Sequence, residues 1–219
     1  SKPIDLDESI KLNMLILGDN FNKPIKLTSK LNHLEFGYYF NQPIDLINSL
    51  ELIELLFDGL FNQPIDISNL VNLLVLKFGN EFNQPIQLNE NIIKLEIGSN
   101  FYNQINLQNI KQLKLNCSNQ YIIDNLPESL NILELGIEFD LPLNNLPDNL
   151  TKLYFTKNWS YDHELNCLPN SLEILNIPEK YFHKIKSIPK NLKKFYCNSK
   201  YPYQNDFIEK NIAVIHNIS

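Results

Sequence analysis

The sequence predicts an α/β solenoid of about eleven repeats of roughly 20 residues, with a parallel β-sheet along one side and mostly non-helical return legs. Three observations predict this fold. A short apolar pattern recurs along the chain, an aromatic residue follows it at a fixed distance, and prolines lie between one copy and the next. A strand of three or four residues cannot bury its apolar face alone, so such units stack and share a core. We expect a curved superhelix with the sheet on its concave face.

The core pattern consists of an apolar residue, two intervening residues, a second apolar residue, one intervening residue and a third apolar residue. Its first positions recur every 18 to 22 residues. Residues two apart share one face of a strand, so the last two positions face the core and their neighbours face outward. The copies are Leu12-Leu15-Leu17, Leu31-Leu34-Phe36, Leu52-Leu55-Phe57, Leu73-Leu76-Phe78, Ile92-Leu95-Ile97, Ile110-Leu113-Leu115, Leu130-Leu133-Leu135, Leu150-Leu153-Phe155, Leu172-Leu175-Ile177 and Leu192-Phe195-Cys197, with an eleventh starting at Ile212-Ile215.

An aromatic residue stands four positions after the last core residue in most units. We expect its ring to stack on the equivalent ring of the next unit and to bury about 150–250 Å². Two units place the aromatic residue two positions later, as Tyr121 and Tyr161. The resulting aromatic spine is predicted to contain Phe21, Phe40, Phe61, Phe82, Phe101 and Phe139; Tyr181 and Tyr201 occupy the same position in later units.

In the first half of the chain this aromatic residue opens a pentapeptide, Phe-Asn-Gln-Pro-Ile or Phe-Asn-Lys-Pro-Ile. Proline fixes φ and has no N–H to donate, so it belongs on the return leg and not in the sheet. A short amide side chain at a bend can satisfy backbone groups that a tight coil leaves unpaired. Asparagines stacked at one slot then form a ladder, predicted at Asn22, Asn41, Asn62 and Asn83.

The pentapeptide, repeated at 19 to 21 residues, resembles the FNIP repeat family, a divergent leucine-rich repeat of social amoebae and of giant viruses that infect amoebae. The resemblance implies a leucine-rich-repeat-like solenoid. Members of that family often carry an F-box ahead of the repeats, which implies substrate recognition for a cullin-type ubiquitin ligase. The Leu-Pro pairs that precede the core pattern in the second half are similar to the short repeats of bacterial leucine-rich effectors.

The start of the chain bears on its domain organisation. The sequence begins at Ser1, without a methionine and within a repeat, and contains no helical segment like an F-box. We therefore expect residues 1–219 to form a single solenoid domain, truncated at its N-terminus and belonging to a longer protein.

Composition disfavours two classes of partner. The formal net charge is −6 and the basic residues are lysines without any arginine, whereas a phosphate backbone demands a basic stripe. No apolar run approaches the roughly 18 residues of a membrane span. We expect a protein partner, with neither nucleic acid nor membrane as a ligand.

Catalytic and metal-binding constellations are missing from the sequence. The four histidines fall in different repeats without ligand spacing, and Asp162-His163-Glu164 fills pentapeptide slots. We expect no enzyme activity, no metal and no cofactor. The three cysteines, Cys117, Cys167 and Cys197, are far apart and are expected to be buried thiols, which favours a reducing cytoplasm, that of the host if the protein is viral.

The outward side chains of the strands are the place to look for function in a solenoid. In the middle of the chain Lys77, Glu96, Lys114 and Glu134 alternate in sign and can neutralise one another on adjacent strands. The C-terminal half instead shows tyrosines and isoleucines flanked by lysines, a composition typical of interfaces. The predicted partner site comprises Ile132, Lys152, Tyr154, Trp159, Ile174, Asn176, Lys194 and Tyr196. Another face remains open, as does self-association through the edge strands of the solenoid ends.

Overall fold

The computed structural model describes residues 4–5, 12–156, 158–159 and 161–217. They form two compact units, unit 1 at Ser1–Ile110 and unit 2 at Lys111–Ser219. Each unit is a stack of coils, and each coil contributes one short strand to a parallel ladder. That the whole of residues 1–219 acts as a single domain stays a prediction.

Unit 1 contains a five-strand parallel ladder in sequence order. Met14, His33, Glu54, Val75 and Lys94 lie side by side at the starts of the strands. A separate pair of two-residue strands joins Ile4 to Ile25 on the return legs. The strands of unit 1 are β1 Ile4–Asp5, β2 Met14–Leu17, β3 Ile25–Lys26, β4 His33–Phe36, β5 Glu54–Phe57, β6 Val75–Lys77 and β7 Lys94–Ile97; β2, β4, β5, β6 and β7 form the ladder.

Unit 2 contains a six-strand parallel ladder, again in sequence order, and two short helices of five and four residues. A parallel sheet with mostly non-helical return legs, as the sequence predicts, is thus confirmed. The elements of unit 2 are β8 Gln112–Leu115, α1 Gln120–Asp124, β9 Ile132–Leu135, β10 Lys152–Phe155, β11 Ile174–Asn176, β12 Lys194–Cys197, α2 Asn205–Ile208 and β13 Ala213–His216.

Side chains alternate between the core and the outer face along each strand. On β5, Leu55 and Phe57 are fully buried while Glu54 and Leu56 are half-buried on the other side. The core pattern Leu-x-x-Leu-x-Phe therefore fills the interior of the coils, with Leu52 buried just before the strand. This alternation determines which residues can meet a partner.

The aromatic residues after the strands stack from coil to coil. In unit 1 successive ring centroids lie 5.9 Å apart from Phe21 to Phe40 and from Phe40 to Phe61, then 6.1 Å apart to Phe82 and to Phe101. In unit 2 Phe139 stacks on Tyr161 at 6.0 Å, and Tyr181 on Tyr201 at 6.4 Å.

A second aromatic column packs against this spine. The ring centroid of Phe36, at the last core position of β4, lies 3.9 Å from that of Phe40. The ring centroids of Phe78 and Phe82 lie 3.7 Å apart. Phe36 also stacks on Phe57 of the next strand at 5.3 Å. The rings of unit 1 thus form a double column, because the last core position and the spine position both carry phenylalanine in three consecutive coils.

Tyr121, the displaced aromatic residue of the sixth unit, does not enter the core. Here the return leg forms α1, whose first turn is capped by the Asn119 side chain accepting a hydrogen bond from the Ile122 N–H at 3.3 Å. Ile122 and Ile123 of this helix are buried in the core, whereas the side chain of Tyr121 is exposed.

The prediction that Ile215 is a core residue of the last strand is wrong. Val214 lies beside Phe195, and Ile215 lies beside the outward Tyr196. The return leg before β13 contains α2, whose Phe207 stacks on Phe195 at 3.8 Å, and Asn211 adopts a positive φ of 59°. This turn brings the chain into the ladder one residue out of step with the earlier repeats.

Candidate partner-binding face

Four neighbouring strands of unit 2 bring most of the predicted site together. One row runs through Ile132, Lys152, Ile174 and Lys194 at the starts of β9 to β12. The second row, two residues further along the same strands, runs through Glu134, Tyr154, Asn176 and Tyr196. We call these two rows the unit 2 face.

Tyr154 of the unit 2 face remains a neutral hydroxyl in the physiological range. Burial raises the pKa of Tyr154 above its ordinary value of 10.0, and the neighbouring Tyr196 and Glu134 raise it further. Tyr154 and Tyr196 flank the short Asn176 and are both half-buried, so each offers ring area and a hydroxyl to a partner. Lys152 is half-buried and Lys194 is exposed beside the isoleucines.

Trp159 does not belong to the strand rows. It lies on the coil after β10 and is 59% exposed. The preceding residue holds that coil: Asn158 is buried and donates hydrogen bonds from its side-chain amide to the carbonyls of Gly136 at 2.9 Å and Phe139 at 2.7 Å. The same side chain accepts a hydrogen bond from the Tyr161 N–H at 3.0 Å. Trp159 is therefore an exposed ring on an anchored turn and not on a strand, and its part in binding stays a prediction.

The alternating charges fall into register as the sequence predicts. Lys77 lies beside Glu96 in unit 1, and Lys114 lies beside Glu134 in unit 2. Lys77 also places its Nζ 3.8 Å from Asp58 Oδ1. Opposite charges on adjacent strands compensate one another. These lysines and glutamates therefore have less need of a bound ligand than the tyrosines of the unit 2 face.

The repeated asparagines link each coil to the next. Asn41 Oδ1 accepts a hydrogen bond from the Asn62 N–H at 3.0 Å, and Asn62 Oδ1 accepts one from the Asn83 N–H at 2.9 Å. The glutamine of the following coil joins each rung, since Gln84 Nε2 donates to Asn62 Oδ1 at 3.0 Å. The rung at Asn22 and Asn41 has the same form, with an N–H to Oδ1 distance of 3.1 Å. Each asparagine side chain thus accepts a hydrogen bond from a backbone N–H of the next coil and not from one of its own coil.

Unit 2 fills the same slots with other side chains. His163 Nε2 lies 3.1 Å from Asp140 Oδ1, and His183 Nε2 lies 2.7 Å from Asp162 Oδ1. The aspartates occupy the asparagine slot and the histidines occupy the glutamine slot of the pentapeptide. Across the described residues no three His, Cys, Asp or Glu side chains gather to hold a metal ion. These contacts are therefore rungs between coils.

The cysteines differ from the prediction at one position. Cys117 and Cys197 are buried, but Cys167 is exposed, so the expectation of three buried thiols is wrong there. Cys167 lies on a return leg between Glu164 and Leu168 and not at a core position, and its side chain reaches solvent. Burial raises the pKa of Cys197 to about 11.

Comparison with known proteins agrees with this geometry. Residues 21–50 and 139–180 match the model of the FNIP repeat. Both segments resemble FNIP repeats. Both matched segments begin with the aromatic residue that precedes the asparagine slot, which is Phe21 in the first and Phe139 in the second. No curated protein matches the chain.

A solved structure extends the likeness along the chain. The chain is similar to CroV588, described as having a novel circular leucine-rich-repeat structure, with a TM-score of 0.70 and 30% sequence identity. The match covers 91% of this chain and 33% of CroV588, so this chain spans about a third of the length of that relative. Neither helix of the described residues is long and apolar enough to cross a membrane.

Proposed function

We propose that the chain is a protein-interaction scaffold that binds a partner protein through the unit 2 face, without catalysis and without a cofactor. The register of β9 to β12 carries this proposal, because it sets Tyr154 and Tyr196 in one row next to Ile174 in the other. Tyrosine is enriched at binding hot spots because it offers a large rigid ring and a hydrogen-bonding hydroxyl. A repeat solenoid supplies a rigid surface for such residues.

The charges of the unit 2 face favour an acidic partner segment. Lys152 and Lys194 alternate with Ile132 and Ile174 along the first row. Rim charges of this kind accelerate encounter and exclude partners of like charge more than they add affinity. We therefore expect binding to weaken as salt concentration rises.

A pair of double variants tests this proposal. Once a partner has been captured from host cytoplasm, Tyr154→Ala with Tyr196→Ala should weaken its binding at least tenfold, roughly 1.4 kcal/mol, with a nearly unchanged melting curve. Lys77→Ala with Glu96→Ala is the matched control on the charge-compensated strands of unit 1. A larger loss of binding in that control than in the tyrosine variant would place the partner elsewhere.

The FNIP resemblance supports a more specific role, as the substrate-recognition part of an F-box-type ubiquitin-ligase adaptor in the cytoplasm. The full-length gene product tests it directly: it should co-purify with a cullin-type ligase, and the captured partner should be ubiquitinated in its presence. Failure of both would remove the ligase link and leave the scaffold proposal intact.

The alternative function is a structural or self-assembly module, and the likeness to a protein described as circular favours it. A circular arrangement implies that coils at two ends meet, and copies of a shorter array could meet in the same way. Light scattering over a range of concentrations separates the two functions, since only self-assembly raises the molar mass with concentration.

A further inference from the structure

A cluster of aliphatic side chains is exposed on unit 1, outside the predicted partner site. We call it the aliphatic patch: Leu50, Ile53, Val71, Leu74 and Ile93, which are between 36% and 60% exposed. They come from three consecutive coils, whose strands β5, β6 and β7 are neighbours in the ladder. Each of Ile53, Leu74 and Ile93 comes immediately before its strand. Contiguous exposed apolar area of this kind marks interaction sites in soluble proteins.

The fold does not require these residues to be apolar. The position taken by Ile53, Leu74 and Ile93 immediately follows the first core residue of the repeat. Seven other coils place polar residues there: Asn13, Asn32, Lys111, Asn131, Thr151, Glu173 and Lys193. Because the same backbone position accepts amide, charged and hydroxyl side chains in seven coils, the three aliphatic residues need an explanation other than coil stability.

The backbone beneath the aliphatic patch is firmly held. The N–H groups of Leu74 and Val75 both donate to the Ile53 carbonyl, at 2.9 and 3.1 Å. On the return legs the Asn72 side chain donates to the Leu50 carbonyl at 2.9 Å, and the Asn91 side chain donates to the Val71 carbonyl at 2.8 Å. A shallow groove runs between these residues, lined by Ile53, Val71 and Leu74 together with the asparagines and Glu51, whose Oε1 lies 3.0 Å from Lys30 Nζ. A rigid groove loses little entropy when a ligand binds.

Charges at the two ends of the aliphatic patch differ in sign. At the β4 end, His33 lies between two carboxylates: its Nδ1 is 2.7 Å from Glu54 Oε2, and its Nε2 is 3.6 Å from Glu35 Oε2. Both glutamate side chains remain about two-fifths exposed, at 41% and 42%. At the β7 end Lys94 is exposed directly after Ile93. A ligand on the patch therefore meets an acidic end and a basic end.

We propose that the aliphatic patch is a second docking surface, which binds a partner segment carrying consecutive aliphatic residues and a lysine or arginine at the end that reaches Glu35 and Glu54. The carboxylates supply the charge complementarity, and a guanidinium or ammonium group can contact both while His33 holds Glu54 in place. Carboxylates also outnumber lysines between residues 12 and 110, so the field of unit 1 attracts a basic segment. This preference is opposite to that of the unit 2 face, and the proposal does not depend on that face.

A displayed library of random peptides tests the docking surface even while the natural partner is unidentified. The library is selected on the full chain and counter-selected on the variant Ile53→Asn with Leu74→Asn, which installs the residue found at Asn32 and Asn131. We expect the enriched peptides to combine aliphatic residues with a terminal lysine or arginine. By fluorescence anisotropy, a synthetic enriched peptide should bind the variant at least tenfold more weakly, and Glu35→Gln with Glu54→Gln at least threefold more weakly.

Two controls separate this surface from others. Ile137→Asn removes an exposed aliphatic residue of unit 2 and should leave peptide binding unchanged. Tyr154→Ala with Tyr196→Ala should also leave it unchanged, so a failure of the unit 2 face and a failure of the aliphatic patch give different results. Circular dichroism of every variant should match that of the parent chain.

Several outcomes would overturn the proposal. Enrichment of acidic peptides, equal binding by Ile53→Asn with Leu74→Asn, or failure of any peptide to be enriched would each remove the basic aliphatic segment as the occupant. Concentration-dependent self-association that the same variant abolishes would show that a second copy of this chain covers the patch instead.

Discussion

The rings of Phe57 and Phe61 lie 3.8 Å apart at an interplanar angle of only 11°, although one residue ends a strand and the other begins a return leg. The four-residue spacing between them turns the chain so that both rings enter the same layer of the core. Both are fully buried, and Phe61 also stacks on Phe40 and Phe82 of the adjacent coils. A single ring thus connects two columns and three coils.

Phe61→Ala should lower the free energy of unfolding by roughly 3–5 kcal/mol, because truncation of a buried aromatic residue leaves a cavity. Phe21→Ala is the matched control: Phe21 is only half-buried and stacks on Phe40 alone among the spine rings, so its loss should be smaller. Denaturant unfolding followed by circular dichroism measures both. Equal losses would contradict the idea that stacking on both sides determines the contribution of a ring.

Asn62→Ala should destabilise the chain by about 1–3 kcal/mol, since it leaves the Asn83 N–H without the acceptor that lies 2.9 Å away. Asn62→Asp keeps an acceptor oxygen at the same place and should cost less. Unfolding free energies of the two variants check this prediction, which fails if the alanine and aspartate variants are equally stable.

Alkaline pH should destabilise unit 2 through its tyrosines. Burial raises the pKa of Tyr181 from 10.0 to about 12. The folded pKa exceeds the unfolded value, so the stabilisation is complete below pH 10 and is lost as the pH rises through 12. Tyrosinate absorbance and circular dichroism, followed together, should show Tyr181 ionising as the structure is lost.

Tyr181→Phe is the control for that titration. It removes the hydroxyl that accepts a hydrogen bond from the Leu165 N–H at 2.9 Å, so it should lower stability at neutral pH by about 1 kcal/mol. The same variant should lose less stability between pH 10 and pH 12 than the parent chain does. Parallel curves of stability against pH for the two proteins would contradict the idea that ionisation of Tyr181 causes the loss.

The thiols should react at two different rates with a disulfide reagent. Cys167 is exposed and should react quickly in the native protein. Cys197 is buried with a pKa raised to about 11, and Cys117 is buried as well, so both should react only as the chain opens. Cys167→Ser should abolish the fast phase, and a fast phase that persists in that variant would contradict the burial of the other two.

The ladder could be predicted from the sequence because the spacing of the core pattern leaves little freedom. Once Leu133 and Leu153 both face inward, Glu134 and Tyr154 must lie side by side on the outer face, as they do. The adjacency of Tyr154, Asn176 and Tyr196 follows from the same rule, although their role in binding stays a prediction. Because side chains alternate between the two faces of a strand, knowing the face of one residue gives the face of every other residue in that strand.

The return legs could not be predicted as well, because their conformation depends on local turns and not on a period. The asparagine slot is visible in the sequence, but the donor to Asn62 is the backbone of the next coil, which no pattern within one coil reveals. The helix at Tyr121 and the shift at Ile215 have the same origin, since one additional turn changes which side chain enters the core. The aliphatic patch could not be predicted from the strand pattern either, because its residues lie before the strands and not on the strand face.

The rungs formed by Asn41 and Asn62 all point one way along the stack, since each side-chain oxygen accepts from the coil that follows. Because of this direction, an array shortened at its C-terminal end and an array shortened at its N-terminal end expose different groups. Removing the coils after a rung leaves an amide oxygen that water can satisfy, whereas removing the coils before it leaves a backbone N–H at the new end without its acceptor. Shortening from the C-terminal side should therefore be tolerated better than shortening from the N-terminal side. Insertion of a whole coil that carries its own asparagine disturbs neither, which gives such arrays a simple route to change in length.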